Sequence, residues 1–404
     1  MTFHLRIAAA IPLAASMVWA GAAFSADQVL TNRSLNPQPL SSAAIAGARA
    51  FVNPLATPDT ASVRADSGAA AGMPGVFAGS DDVAAGGGVQ GRAFGSFGIP
   101  YTSTRVQLGG TLYKSVSMGP AYLGTTSPYR TVGKLTFSAG FCSASVILRG
   151  VIVTAAHCIQ NFASGGNIFS GFTFTPGHYG AAGATVAQMA PYNSWSWHSL
   201  VRPASWANGT DIGCGAARDN DLAVIALNKD GKGRFVGDRV GSNGYGWNNY
   251  SSVVSAKTGN MRTFATSTLG YPALLDLGRV MQRADGPSFT TTVCGAGQIW
   301  QGSNFTGGSS GGPWIVNFVS FNAARSGGAA LGTAPIRAVI GVTSWGSADP
   351  NAPKDNYSSQ FRQNSAYPNG AYGNPNRGAG NIGSLLATLC QSGNPTLQSQ
   401  GYCD

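Results

Sequence analysis

Short apolar runs recur along the chain from about residue 122 onward, and clusters of Gly, Asn, Ser and Pro separate them. Runs of about four to eight residues, rich in β-branched side chains and bounded by turn residues, are typical of short strands. The clearest runs cover residues 146–148, 151–154, 222–227, 314–316 and 339–345. This pattern predicts an all-β domain, with no internal repeat at a fixed period.

The N-terminal part of the chain has a different pattern. Arg6 precedes an almost wholly apolar stretch over residues 7–23, which is typical of a secretory signal cleaved before Ala26. The stretch is short for a membrane span, so we favour a cleaved signal over an anchor. Residues 26–120 are dominated by Ala, Gly, Ser and Pro. We interpret residues 1–25 as a signal peptide and residues 26–120 as a pro-segment with a flexible linker; an ordinary disordered arm is the alternative.

Composition removes several classes of protein. Only 10% of the 404 residues are charged, against roughly 25% in typical soluble proteins, and all fifteen acidic residues are Asp. A chain without Glu cannot carry an H-E-x-x-H zinc site. It also lacks the Glu that capping boxes use, which argues against a helical bundle. The net charge is +10, but the Lys and Arg residues are scattered singly, which argues against a nucleic-acid partner.

Six cysteines follow the predicted signal, and an even number in an exported chain indicates three disulfides. Cys142 and Cys158 are sixteen positions apart, and a bridge between them would contribute about 3 kcal/mol in the chain-entropy model. Cys390 with Cys403 would close a small terminal loop and leave Cys214 with Cys294. Four cysteines allow three pairings, so this part of the assignment stays open.

Histidine is scarce, which narrows the choice of a general base. Of the four His residues one lies in the signal, so an imidazole base has to be His157, His178 or His198. His157 follows the β-branched run 151–154 and two alanines, and Cys158 comes directly after it. A rigidly held strand end of this kind favours His157 as a functional residue over a structural one.

A glycine-rich segment over residues 307–314 offers a nucleophile. Ser310 needs a base to take its proton, and the attacked carbonyl needs backbone N–H donors for its developing negative charge. Glycines on both sides of Ser310 allow a sharp turn that aims the N–H groups of Gly308 and Ser310 to one side. A plain Gly/Ser surface loop is the alternative.

The third component is a carboxylate at the head of a buried strand. Asp221 abuts the apolar run 222–227, where it can hold a histidine in one tautomer, and Asp219 is the weaker candidate. Because the chain has no Glu, any carboxylate in this role is an Asp. An Asp before a strand is otherwise a common turn residue.

The order of these residues decides between hydrolase types. The G-x-S-x-G pattern around Ser310 matches the α/β-hydrolase elbow, whose histidine follows the serine, but no His follows Ser310. A subtilisin order would place the Asp before His157, within the low-complexity N-terminal part. The order His, Asp, Ser remains.

These residues resemble the chymotrypsin-like serine peptidases, with T-A-A-H-C at 154–158, D-N-D-L at 219–222 and S-G-G-P at 310–313. Ser344, Trp345 and Gly346 resemble the substrate-lining segment of that family. V-G-K-L at 132–135, G-Y-P at 270–272 and Ser309 are similar to the bacterial glutamyl-endopeptidase-like branch.

The resemblance implies two antiparallel six-stranded Greek-key β-barrels, with the active site in the cleft between them. It implies a secreted, monomeric serine endopeptidase without metal or cofactor, in which Asp221 orients His157 and His157 activates Ser310. Gly308 and Ser310 would supply the oxyanion hole. The peptidase domain would cover residues 121–390 and a C-terminal tail residues 391–404; after removal of the signal no membrane attachment is expected. A catalytically silent homologue that binds peptides or surface polymers is the alternative function.

Specificity is the least constrained part of this interpretation. Asn304 stands six residues before the nucleophile, at the base of the family's substrate pocket, so cleavage after Arg or Lys is not expected. The glutamyl branch has a His where this chain has Thr343, which leaves a preference for acidic side chains open. Where animal relatives have an Asp to receive a freed N-terminal amine, Ser309 offers no carboxylate. We therefore expect the pro-segment to act as a folding aid or an inhibitor.

Overall fold

The computed structural model describes residues 29–35, 38–51, 101–106, 123–254, 262–318, 337–346 and 354–404. The first ten strands, in chain order, are β1 (Val29–Arg33), β2 (Thr102–Arg105), β3 (Val132–Phe137), β4 (Gly140–Leu148), β5 (Val151–Thr154), β6 (Thr173–Pro176), β7 (Trp195–Pro203), β8 (Gly213–Cys214), β9 (Ala217–Arg218) and β10 (Ala223–Leu227). The others are β11 (Gly244–Tyr245), β12 (Val253–Val254), β13 (Arg262–Gly270), β14 (Gln282–Val293), β15 (Ala296–Gly302), β16 (Pro313–Val316), β17 (Ala338–Gly346) and β18 (Asp355–Gln360).

Helices are few and short in the described part of the chain. The α-helices are α1 (Ser42–Gly47), α2 (Val186–Met189), α3 (Ala204–Asn208), α4 (Val236–Val240) and α5 (Gly380–Gln391). Short 3-10 turns cover Leu123–Thr125, Tyr129–Thr131, Ala156–Cys158 and Asp276–Gly278. Of the described helices, none is long and apolar enough to span a membrane.

Six strands form the first barrel, in the order β7, β10, β5, β4, β3, β6, and β6 pairs back to β7 to close it. All of these pairings are antiparallel. The apolar run of β5 pairs with that of β10, so that Val153 faces Val224 and both side chains are fully buried. The pairing of β5 with β10 places the end of β5 beside the start of β10.

The second barrel repeats this arrangement with β13, β16, β17, β18, β15 and β14, closed by the pairing of β14 with β13. Its core includes the fully buried side chains of Phe264, Ile299 and Trp314. Each apolar run singled out in the sequence coincides with or overlaps a strand of one of the two barrels. The prediction of an all-β protein with two six-stranded antiparallel barrels is therefore confirmed.

Parts of the predicted pro-segment belong to these sheets. β1 pairs antiparallel with β7 of the first barrel, and β2 pairs antiparallel with β14 of the second. β1 also reaches a buried cation, because the guanidinium of Arg202 donates hydrogen bonds to the side chains of Asn32 and Gln160. The signal and residues 52–100 lie outside the described residues, and the domain boundaries stay a prediction.

Three disulfides join the six cysteines, the number that the sequence predicts: Cys142–Cys158, Cys214–Cys294 and Cys390–Cys403. The structure thereby decides the pairing of the last four cysteines, which the sequence left open. The first joins β4 to the turn that follows β5. The second joins the separate β8–β9 hairpin to the turn between β14 and β15 of the second barrel. The third ties α5 to the chain end, where Tyr402 O accepts a hydrogen bond from Gly150 N. Three disulfides are typical of a protein from an oxidising, extracellular compartment.

Candidate active site

A buried imidazole–carboxylate pair lies where β5 ends and β10 begins. His157 sits in the short turn after β5, and its Nδ1 is 2.7 Å from Oδ2 of Asp221. The backbone N–H of His157 also donates to Oδ1 of Asp221, at 2.9 Å. Both side chains are at most 1% exposed. Because the carboxylate accepts at Nδ1, the proton of a neutral ring lies there and Nε2 is left as an acceptor.

Ser344 adds a contact to this pair that sequence reasoning missed. Its hydroxyl donates to Oδ2 of Asp221 at 2.6 Å. The side chain of Ser344 is 1% exposed, so it supports the carboxylate instead of facing a substrate. The contact connects β17 of the second barrel to the pair in the first.

Ser310 lies in a turn whose shape requires glycine. Gly308 has φ +94°, and a Cβ there would stand 2.6 Å from the carbonyl oxygen of Tyr271 and 2.6 Å from the ring of Phe141. Gly311 has φ +75°, and a Cβ there would stand 2.0 Å from Oγ1 of Thr154. Non-glycine side chains are rare at such φ values, and here they would also collide with neighbours.

Backbone contacts bring this turn to the end of β5. Ser143 N donates to the carbonyl of Ser310 at 2.8 Å, and the hydroxyl of Ser143 donates to the carbonyl of Gly308 at 2.8 Å. The hydroxyl of Thr154, three residues before His157, donates to the carbonyl of Ser143 at 2.9 Å. The serine of the second barrel and the imidazole of the first are thus held at one junction.

Unused donors and acceptors collect at this junction. Within the described part of the chain, the backbone N–H groups of Gly308 and Ser310 donate to no protein acceptor, and Nε2 of His157 has no hydrogen-bond partner. Ser310 is 8% exposed. The arrangement provides a hydroxyl, a base that can take its proton, and two N–H groups that can hold an oxyanion.

Asp219, the weaker sequence candidate, has a different environment. Its Oδ1 accepts a hydrogen bond from Gly297 N at 2.9 Å and lies 3.7 Å from Nη2 of Arg362. Burial raises the pKa of this carboxyl above its ordinary value, while Arg362 opposes the shift. Asp221, and not Asp219, contacts His157.

The two other candidate imidazoles lie away from the junction. Nδ1 of His178 is 2.8 Å from the carbonyl of Met189, and the ring packs edge-on against Tyr271. His198 lies near Arg33 of β1 and contacts the hydroxyl of Ser199 at 3.1 Å. The described contacts of these two rings therefore place both outside the pair that His157 forms with Asp221.

We expect His178 to make the protein sensitive to acid. Burial, with repulsion from Lys134, lowers the pKa of His178 from 6.5 to about 3. Between these values the unfolded chain binds a proton that the folded protein does not, so the free energy of unfolding falls as the pH drops from about 6.5 to 3, by up to about 1.4 kcal/mol per pH unit. In urea unfolding at pH 7, 5 and 4, His178→Gln should lose stability less steeply with acid than the unchanged protein. Equal slopes would contradict this.

The predicted substrate-lining residues divide into two groups. Oδ1 of Asn304 is buried without a hydrogen-bond partner among the described residues. The hydroxyl of Thr343 accepts a hydrogen bond from Trp314 at 3.1 Å, and the ring of Trp345 stacks on Tyr357 with centroids 3.8 Å apart. Asn304 therefore retains an unused polar atom, whereas the side chains of Thr343 and Trp345 are engaged inside the barrel.

The closeness of Cys142, His157 and Cys158 has a structural cause. Their potential ligand atoms lie within 4.8 Å of one another, as in a metal site. The two sulfurs are bonded to each other in a disulfide, so they do not act as thiolate ligands. The cluster fixes the turn that carries His157.

Comparison with known proteins agrees with this architecture. The sequence matches the family model described as Trypsin over residues 123–362, which is more than half of the chain. The protein therefore belongs to the trypsin family, the chymotrypsin-like serine peptidases. Comparison with curated protein sequences found no match.

Several solved structures are similar. A protease from Arthrobacter nicotinovorans has 21% identity and a TM-score of 0.42, over 59% of this chain and 93% of that chain. A thermostable serine protease from an extremophilic microorganism has 24% identity and a TM-score of 0.42, over 58% of this chain and 92% of that chain. A Glu endopeptidase has 16% identity and a TM-score of 0.41, over 64% of this chain and 91% of that chain.

Proposed function

We propose that the protein is a secreted serine endopeptidase that cleaves peptide bonds through an acyl-enzyme. The observation that carries this proposal is the buried pair of His157 and Asp221, whose unpartnered Nε2 lies at the same junction as Ser310. Such a pair is the arrangement that turns a serine hydroxyl into a nucleophile. The predicted signal and the three disulfides support secretion.

The first half of the reaction forms the acyl-enzyme. Oγ of Ser310 attacks the scissile carbonyl while Nε2 of His157 takes the hydroxyl proton, and the N–H groups of Gly308 and Ser310 bind the oxyanion. The intermediate collapses as the C–N bond breaks, and His157 gives its proton to the departing amine. Asp221 keeps the proton on Nδ1 throughout and stabilises the charged ring.

The second half of the reaction uses the same groups on water. His157 takes a proton from a water molecule, the resulting hydroxide attacks the acyl carbon, and the proton passes to Oγ of Ser310 as the carboxylic acid leaves. One peptide bond and one water molecule are consumed, and Ser310 and His157 return to their starting protonation.

Specificity follows from what the pocket residues can offer. Asn304 brings no negative charge for Arg or Lys, and the hydroxyl of Thr343 already accepts a hydrogen bond from Trp314. Neither side chain carries a positive charge for an acidic residue. We therefore propose that uncharged side chains are accepted before the scissile bond, presented along the backbone of Ser344, Trp345 and Gly346.

The test is labelling of the purified, secreted protein with a fluorophosphonate probe, followed by mapping of the modified residue. We expect the label on Ser310 and cleavage of a peptide library. Ser309→Ala is the matched control, because the hydroxyl of Ser309 donates to the carbonyl of Thr306 at 2.7 Å and is not needed for attack. A folded protein that takes no label and cleaves no peptide would contradict the proposal and favour the peptide-binding homologue.

A further inference from the structure

The N-terminal arm, which we define as residues 38–51, ends against the start of β4 beside His157. Phe141 N donates to the carbonyl of Arg49 at 2.8 Å, and Phe51 N donates to the carbonyl of Phe141 at 2.9 Å. These two bonds form a parallel bridge between Ala50 and Phe141. The arm therefore occupies the polar backbone groups that β4 would otherwise present at the junction.

The side chain of Phe51 completes an aromatic cluster over the imidazole. Its ring centroid is 5.5 Å from that of Phe137 and 5.2 Å from that of Phe169, both in edge-on geometry. It also lies 6.2 Å from the ring of His157 at an interplanar angle of 20°. Phe137 and Phe169 stack on each other at 5.2 Å, so their faces and edges form a ready-made site for one more ring.

Two backbone edges meet at His157 and Ser310, and they have different partners. The end of β17 contacts the turn of Ser310, since Gly311 N donates to the carbonyl of Thr343 at 2.8 Å. The proposed function assigns that edge to the acyl side of the substrate. The start of β4 lies on the flank of His157, which has to deliver a proton to the departing amine. The leaving-group side of the substrate is therefore expected along β4, where the arm lies.

We propose that Phe137, Phe169 and the face of the His157 ring that Phe51 covers form an aromatic subsite for the leaving-group side of a peptide substrate, and that Phe51 fills this subsite in the uncleaved chain. The arm is then an internal competitor of substrate. The inference rests on the proposed function and adds two things to it, a preference for an aromatic side chain after the scissile bond and the means by which the uncleaved chain is held inactive.

The arm is placed to bind without being cut. Among the described residues, no carbonyl of the arm accepts a hydrogen bond from Gly308 or Ser310, so none is positioned for attack. Anchors upstream hold it in place: Leu40 N donates to the hydroxyl of Thr173 at 2.8 Å, and Ile45 of α1 is 4% exposed. With its anchors attached to the same molecule, even a weak contact by Phe51 competes with substrate at high effective concentration.

The first experiment compares full-length chains that carry Phe51→Ala and Leu35→Ala. Leu35 is fully exposed, so its variant removes a similar apolar side chain from the same region without touching the cluster. Mass spectrometry confirms that each chain is uncleaved during the assay. We expect Phe51→Ala to raise the rate of peptide cleavage about tenfold or more, given the area of ring surface it releases, and Leu35→Ala to leave the rate unchanged.

The second experiment reads the subsite directly in the Phe51→Ala chain. Peptides that carry Phe or Ala at each of the first three positions after the scissile bond are compared by kcat/KM. We expect Phe to be preferred at one of these positions by about tenfold, and the preference to disappear when Phe169→Ala is added. Phe169 is only half-buried, so this second substitution leaves most of the core in place.

The outcomes separate the two proposals. If Phe51→Ala takes the fluorophosphonate label and cleaves peptides no faster than the unchanged full-length chain, the peptidase proposal stands and the arm proposal is wrong. If no position shows a preference for Phe that depends on Phe169, the aromatic subsite is wrong. If neither chain takes the label, the failure belongs to the proposed function.

Discussion

Ser310→Ala is expected to lower kcat for peptide cleavage by about six orders of magnitude, the scale found when the nucleophile of a serine peptidase is removed. Without Oγ no acyl-enzyme forms, and the remaining groups at the junction can assist only a direct attack by water. Binding of substrate along β17 should change little, because the turn is fixed by Gly308 and Gly311 and not by the serine side chain. Active-site titration fixes the concentration of the unchanged protein, and peptide cleavage by a matched concentration of the purified variant measures the loss.

Ser309→Ala serves as the control for this prediction. The two serines are neighbours in one turn, so a general disturbance of the turn would affect both variants. We expect Ser309→Ala to keep kcat within about tenfold of the unchanged protein, because one hydrogen bond to the carbonyl of Thr306 is lost. A Ser310→Ala chain with substantial activity, or equal losses in both variants, would contradict the assignment of the nucleophile.

Asp221→Asn is expected to lower kcat by about four orders of magnitude, as the equivalent change does in the family's reference mechanism. The carboxylate of Asp221 accepts hydrogen bonds from the backbone and Nδ1 of His157 and from the hydroxyl of Ser344. The amide of Asn has only one acceptor atom, so its NH₂ group would face a donor at one of these contacts. The contact is restored when the NH₂ group donates to Nδ1 of His157, which requires the other tautomer of the imidazole. Nδ1 then becomes the acceptor, Nε2 carries the proton, and the ring cannot take the proton of Ser310.

Asp219→Asn separates this effect from the general cost of changing a buried carboxylate. Asp219 is as buried as Asp221 and lies two residues away, but it contacts Gly297 N and Arg362. We expect Asp219→Asn to lower the free energy of unfolding while it leaves kcat nearly intact. Steady-state kinetics and urea unfolding on both variants provide the comparison, and similar losses of kcat would show that Asp221 has no special part in orienting His157.

The strands and the candidate junction could be read from the sequence because their signals are local. The run 151–154 predicts β5 with its observed bounds. The glycines around Ser310 indicate a turn with positive φ angles, which Gly308 and Gly311 adopt. The scarcity of His and the lack of Glu reduced the remaining choices to a few residues. The order of the three residues along the chain then selected the type of hydrolase, because only the chymotrypsin-like type has the order His, Asp, Ser that His157, Asp221 and Ser310 follow.

Long-range contacts with no pattern of their own could not be predicted. β1 pairs with β7 mainly through backbone groups, so its sequence resembles the loose segment around it. Phe51 is a single aromatic residue whose importance depends on Phe137 and Phe169, which are more than eighty residues away. The contact of Ser344 with Asp221 joins different barrels, and only the Ser-Trp-Gly resemblance marked that position.

The disulfide between Cys214 and Cys294 joins the β8–β9 hairpin to the second barrel, over a separation of 80 residues, and Cys214 stands seven positions before Asp221. In the chain-entropy model a loop of this size restricts the unfolded chain by about 4 to 5 kcal/mol. The covalent link also acts on assembly, since the imidazole and carboxylate come from one half of the molecule and the nucleophile from the other. When the two barrels separate transiently, this link keeps the segment that leads to Asp221 close to the second barrel, so the reacting groups return to one another over a shorter distance than the intervening chain alone would allow.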